Sequence, residues 1–205
     1  MPDTDVSAER PDSPIQATGT DHITVIGSNP EDTIAFYRDL LGMPLVLRQP
    51  NLDQPEVEHL FFDTGDGRVL TFFVADRASD PRPVTPAVGG VHHLAFRVDP
   101  EKLDSVKRAL ADAGHRYSEF DRGAFHSLYT RDHNGLTIEL ATEVFEIADA
   151  DRAEVLALAQ QKRVEAGAEY ARAEDVRAAL EELGLPVVET AAGRTDADAG
   201  TGITE

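Results

Sequence analysis

Two histidines and one glutamate hold positions from which they could share a metal ion. His22 lies in the strand-like run at residues 20–26, and His93 in a second one at residues 91–98. Glu139 sits inside Leu136-Thr137-Ile138-Glu139-Leu140-Ala141, which alternates with the period of a strand. Leu136, Ile138 and Leu140 take one face and Thr137, Glu139 and Ala141 the other, so this carboxylate stands alone among apolar and small residues. Leaving water is costly for a carboxylate unless a cation or a donor meets it. A salt bridge at a sheet edge would satisfy it, and so would a metal. Two imidazoles and a carboxylate form the facial set that leaves coordination positions open on non-haem Fe(II). A lone strand histidine is more often a half-buried structural residue than a ligand. The surrounding elements raise these three residues together, because they repeat.

The order strand, helix, three strands occurs twice, giving an α+β fold of two tandem βαβββ modules. In the first, at residues 19–78, Asn29-Pro30-Glu31-Asp32 starts a helix with a cap and a first-turn proline, and Gly42 ends it. Strands follow at 44–48, 58–63 and 68–75, the last two joined by Thr64-Gly65-Asp66-Gly67. A proline-rich linker, 79–89, leads to the second module at 90–142. There Asp99-Pro100-Glu101 starts the helix, Gly114 ends it, and strands follow at 116–120, 125–131 and 136–141. Aligning the first strands sets His22 opposite His93. Aligning LTFFVA with LTIELA sets Glu139 opposite Phe73. If the modules pair about a pseudo-two-fold into a shared open barrel, these positions face one cleft. Residues 1–18 read as a disordered arm, 143–188 as a C-terminal arm of two amphipathic helices, and 189–205 as a disordered tail.

Composition excludes several classes of function. The chain has no cysteine, which removes disulfides, thiolate ligands and cysteine nucleophiles. Its formal net charge of −19 argues against nucleic acid, whose phosphates call for clustered Lys and Arg. Abundant Asp and Glu with few Lys suit the solvation of a halophilic acidic surface, where salt screens the self-repulsion. No apolar run reaches the length of a membrane span, and residues 1–19 lack the basic and apolar regions of a secretory signal. A cytoplasmic address is the simplest expectation.

The tandem pattern resembles the vicinal-oxygen-chelate superfamily, which includes glyoxalases, extradiol dioxygenases, fosfomycin-resistance transferases and bleomycin-binding proteins. Within it, Asp21-His22-Ile23-Thr24, residues 45–73, Val91-His92-His93-Leu94-Ala95-Phe96, and Asp121-Arg122 followed by Phe125, Ser127, Tyr129 and Glu139 resemble the hydroquinone-type ring-cleaving dioxygenases. The likeness spans residues 18–142. It implies that His22, His93 and Glu139 are the metal ligands, for Fe(II) first and Mn(II) or another divalent ion second. It implies that Thr24 lines the pocket and that Arg122 and Tyr129 stand near the substrate oxygen and ring. A small aromatic substrate and O₂ would be the partners. The chain departs from the hydroquinone type in having two modules where four are usual. It departs from the general extradiol signature in having His133, not proline, after Asp132.

The remaining histidines divide by position. His59 and His126 lie on strands that could line the cleft and are candidates for acid–base work. His92 has the opposite strand parity to His93 and reads as structural, His115 as a helix-end residue and His133 as an exposed hairpin residue. Two other functions compete. A glyoxalase- or fosfomycin-type lyase or transferase would use the metal as a Lewis acid; Phe73 at the expected fourth-ligand position weighs against the glyoxalase form. A metal-free protein that binds a small aromatic would use the same cleft without the ion. Pairing of the modules within one chain and exchange between the copies of a homodimer build the same cleft, and the sequence leaves both open.

Overall fold

The computed structural model describes residues 6–121 and 123–194. Residues 6–18 carry no regular element and are almost all exposed. The first module contains β1 (His22–Ile26), α1 (Pro30–Ile34), β2 (Leu45–Pro50), β3 (Glu58–Asp63) and β4 (Val69–Val74). The second contains β5 (Leu94–Arg97), α2 (Leu103–Asp112), β6 (Ser118–Asp121), β7 (Phe125–Arg131) and β8 (Thr137–Glu143). Each module forms a four-stranded sheet, ordered β1-β4-β3-β2 and β5-β8-β7-β6, with its first strand parallel to its fourth. The two sheets repeat one topology.

Local chemistry starts both helices as the sequence leads one to expect. The Asn29 side chain accepts from the Asp32 amide at 2.8 Å, with Pro30 in the first turn. Asp99 accepts from the Glu101 amide at 3.0 Å, and a 3₁₀ turn over Pro100–Lys102 then feeds α2. α1 passes directly into a π-helical stretch, Ala35–Leu40, which buries Phe36 and Tyr37.

Alternation along the strands decides what each sheet faces. Leu60, Phe62, Leu70, Phe72 and Val74 of the first sheet are buried in one cluster with Leu94, Leu128, Ile138 and Leu140 of the second. Phe36 and Tyr37 from one module and Leu110 from the other complete that cluster. The modules therefore join through their helices, and the opposite face of each sheet is turned away from the shared core. The Tyr37 hydroxyl donates to Asp132 Oδ2 at 2.9 Å, with both residues almost wholly buried, which ties the first helix to the β7–β8 hairpin. The same carboxylate accepts the amides of Asn134 and Leu136 on its other oxygen. Gly135 is in the left-handed region (φ 77°), and a Cβ there would run into the Arg82 carbonyl of the linker, so the tight passage between modules requires glycine.

Beyond the second sheet, α3 (Arg152–Glu165) and α4 (Ala173–Glu182) bury Val155, Ala159, Val176, Ala179 and Leu180 against Val144 and Phe145. Residues 189–194, within the expected disordered tail, are ordered, and the rest of that tail lies outside the described residues. Thr190 and Ala192 are buried, α5 (Ala191–Arg194) follows, and Arg194 reaches Glu101 at 2.5 Å. The cause is local: Thr190 Oγ1 donates to the Glu143 carbonyl at 2.6 Å, and the Thr190 amide donates to the Val144 carbonyl. Among the described residues no helix is long and apolar enough to cross a membrane.

Candidate metal centre and its two halves

Glu139 stands at the middle of the second sheet, flanked in register by Ala95 on β5 and Tyr129 on β7. All three are on the face turned away from the helices. Glu139 Oε2 lies 2.8 Å from His93 Nε2. Its other oxygen, Oε1, accepts from the buried Ser127 hydroxyl at 2.6 Å. His93 precedes β5, so it escapes strict alternation, and its Nδ1 is 2.8 Å from Nδ1 of His92. The Tyr129 ring meets the His93 ring edge-on at 5.8 Å and the Phe120 ring at 5.7 Å. One imidazole and one carboxylate thus converge beside a phenol.

The first sheet carries a different set on its equivalent face. His22 Nδ1 is held by Asp21 Oδ1 at 2.6 Å. Thr71, fully buried, donates to the Thr24 hydroxyl at 2.8 Å. His59 lies between Phe61 and Phe73, with ring centroids 4.0 and 4.4 Å away, and its Nε2 is buried without a hydrogen-bond partner. Burial, and then the nearby His22, lower the pKa of His59 below the ordinary histidine value. A neutral imidazole with an unused ring nitrogen results.

Sheet pairing corrects the repeat alignment. Both β-hairpins have the same length, closed by Asp63↔Val69 and by Arg131↔Thr137. That register makes Thr71, not Phe73, the counterpart of Glu139, and the pairs Thr24↔Thr71 and Ala95↔Glu139 agree. The Leu-Thr dipeptides in both strands draw a sequence alignment two residues out of register. A two-residue slip keeps the side chain on the same face, so alternation puts Glu139 on the same side in either register. Threonine in place of a carboxylate also leaves this position without the fourth ligand of a glyoxalase.

The expected site residues are distributed as follows. His93, Glu139 and Tyr129 come together in the second module; His22, Thr24 and His59 share the corresponding face of the first. The two groups are not joined within the chain: among the described residues no set of three His, Asp or Glu side chains could hold a metal. His126 has the parity of Leu128 and faces the helix side, where Glu119 takes its Nε2 at 2.6 Å and Lys107 at 2.5 Å. Arg122 lies outside the described residues. His133 differs from its expected exposure: it is half-buried, 3.0 Å from Thr33 Oγ1, with Nδ1 lacking a partner. Sequence reasoning missed Ser127 as a partner of Glu139. The signal was present, since Ser127 precedes Tyr129 by two residues and so shares its face, diagonal to Glu139.

The donor types suit a divalent ion, two of them on the second face and one on the first. His93 Nε2 and Glu139 Oε2 meet each other directly while their far atoms are held by other groups, and His22 Nδ1 is held in the same manner. Among the described residues of one chain the two halves do not meet.

The topology and its repeat point to the class. The chain belongs to the glyoxalase/bleomycin resistance protein/dioxygenase superfamily, whose family model matches residues 19–140. Among curated proteins it is similar to "Putative ring-cleaving dioxygenase MhqE" of Bacillus subtilis, 34% identical over 49% of this chain and 33% of that protein. It is also similar to "Putative ring-cleaving dioxygenase MhqA" of the same organism, 32% identical over 55% of this chain and 36% of that one. The chain therefore spans about a third of the length of these relatives. A crystal structure of a "putative dioxygenase" from B. subtilis superposes with a TM-score of 0.53 at 25% identity, covering 60% of this chain and 40% of that one.

Proposed function

We propose that the protein is a ring-cleaving dioxygenase acting on a hydroquinone- or catechol-like phenol, with its metal site assembled between two copies of the chain. The observation that carries this reading is the convergence of His93 Nε2 and Glu139 Oε2 at 2.8 Å beside Tyr129. His22 from one copy and His93 and Glu139 from the other would hold the ion, Fe(II) in the first instance and Mn(II) as the alternative. When bound, the ion supplies a template and redox conduit for the phenol oxygens and O₂.

Exposure of the faces supports assembly from two copies. β1 and β5 each end a sheet, leaving one edge of each without a partner strand. Around His59 the first face exposes Ile26 (65%) and Leu47 (45%) beside Phe61 and Phe73, and the second face exposes Phe120 (43%). Apolar surface of this kind marks an interaction site or a ligand groove.

The chain's own residues then divide the work. Phe61, Phe73 and Phe120 supply apolar and edge contacts for an aromatic ring. His59, neutral near pH 7, is placed to accept the proton of a phenol hydroxyl. Thr24, whose oxygen already accepts from Thr71, keeps its own hydrogen for a substrate oxygen. Tyr129 is the donor on the opposite side. Arg122 is assigned the fixed positive charge that favours the phenolate.

The decisive experiment mixes two inactive variants, His22→Ala and Glu139→Ala, and reads O₂ uptake with hydroquinone, catechol and chlorinated hydroquinones after Fe(II) loading. In a dimer that shares its sites, each mixed pair regains one intact site, so about a quarter of wild-type activity should return on random reassortment. No return of activity would rule out the shared site. A metal-loaded wild type that consumes no O₂ with any phenol would point instead to Lewis-acid lyase or transferase chemistry.

A further inference from the structure

We infer that Ser127 and His92 are positioning residues that preset Glu139 and His93 for a single ion. The inference rests on the metal site proposed above and concerns what holds its ligands. A carboxylate offers two oxygens, and an open three-ligand site requires one of them to stay off the metal. Ser127 is fully buried on β7, and its hydroxyl donates to Glu139 Oε1 at 2.6 Å. That bond occupies one oxygen and turns the other toward His93. The ligand is made one-toothed by its neighbour.

His92 acts on the imidazole in an analogous way. The two Nδ1 atoms lie 2.8 Å apart, so one of them carries the hydrogen and the other accepts it. Without metal, His93 Nε2 faces Glu139 Oε2 at 2.8 Å and is placed to donate to it. To act as a ligand, Nε2 must present its lone pair, and the ring hydrogen must then reside on Nδ1. His92 Nδ1 is the acceptor in place to receive it, which fixes both the tautomer and the ring plane. Asp21 at 2.6 Å from His22 Nδ1 is the same arrangement in the other half, built there from a carboxylate. Three prospective ligands each have the non-ligating atom held by a different kind of group. Three independent ion pairs would give no reason for that regularity.

Mn(II) binding, followed by the electron paramagnetic resonance of the free ion, tests this without reference to turnover. Ser127→Ala and His92→Phe should each weaken Mn(II) affinity roughly 10–100-fold while the metal-free protein still melts cooperatively, which shows the fold intact. Ser127→Thr should restore affinity, because it returns the hydroxyl. Wild-type affinity in Ser127→Ala and His92→Phe, with binding abolished by Glu139→Gln, would overturn the positioning role and leave the site standing. Wild-type affinity in Glu139→Gln and His93→Gln as well would remove the site itself, and this inference with it.

Discussion

The two modules share a topology and a hairpin length, yet their outward faces have parted chemically. Where the second carries Glu139, the first carries Thr71; where the second has Ser127, the first has His59. Tyr129 answers to Phe61, and Ala141 to Phe73. One face holds a carboxylate fixed by a buried hydroxyl, with small neighbours that leave room at its side. The other holds a neutral imidazole between two phenyl rings, with a hydroxyl pair beneath. A duplicated sheet thus carries two chemically distinct outward faces, one centred on a carboxylate and one on an imidazole flanked by phenyl rings. The scaffold is conserved between them because it depends on Leu60, Phe62, Leu70 and Phe72 and on their counterparts Leu128, Thr130, Ile138 and Leu140, all turned to the helices.

The contrast can be broken at its strongest point first. Glu139→Ala should reduce metal retention to background and abolish O₂ uptake, while the circular dichroism melt stays cooperative. Full metal content in the purified variant would show that the ion, if any, sits elsewhere. A second variant separates the roles of the halves. His59→Gln should lower kcat by roughly 10²- to 10⁴-fold with metal content unchanged, as expected for a lost acid–base group. The acid limb of the wild-type pH profile should lie below the ordinary histidine value, because burial holds His59 neutral. Metal loss in His59→Gln would make it a ligand and erase the division of labour.

The smallest effect concerns the joint between the modules. Burial lowers the pKa of His133 from 6.5, His115 adds to the effect, and Asp132 and Asp32 oppose it. The unfolded chain then takes up a proton at this position before the folded one does. The stabilisation is present above about pH 6.5 and is lost as the pH falls toward the folded value. Thermal melts of the metal-free protein should show that loss on acidification, and His133→Gln should flatten part of it. An identical pH dependence in the variant would assign the effect to other groups, with His59, shifted in the same direction, the next to test.

Much of this was legible from residue types alone. Capped helix starts at Asn29 and Asp99 and glycine stops at Gly42 and Gly114 fixed the order of elements. Period-two alternation placed Glu139 on the correct face even though the repeat alignment was two residues out. The register was hidden because Leu-Thr recurs in both fourth strands, and only the closing pairs of the hairpins resolve it. Joining through the helices was hidden too. How the two modules meet includes Tyr37 finding Asp132 ninety-five positions away, and no local pattern encodes that. Strand parity does not apply to His92, which precedes β5 and whose Nδ1 lies 2.8 Å from that of His93.

The Tyr37–Asp132 bond has a consequence for assembly. With the shared apolar core it holds the two modules in one body with an outward sheet face on each side, and in the proposed assembly such a body is a link that can be extended. Joined to a copy through a rotation that closes on itself, it gives a ring of two with both seams filled. Joined through any other rotation, it would leave a free face at each end and grow as a filament. If copies join as proposed, the angle at which α1 meets the β7–β8 hairpin would set which of these rotations relates them.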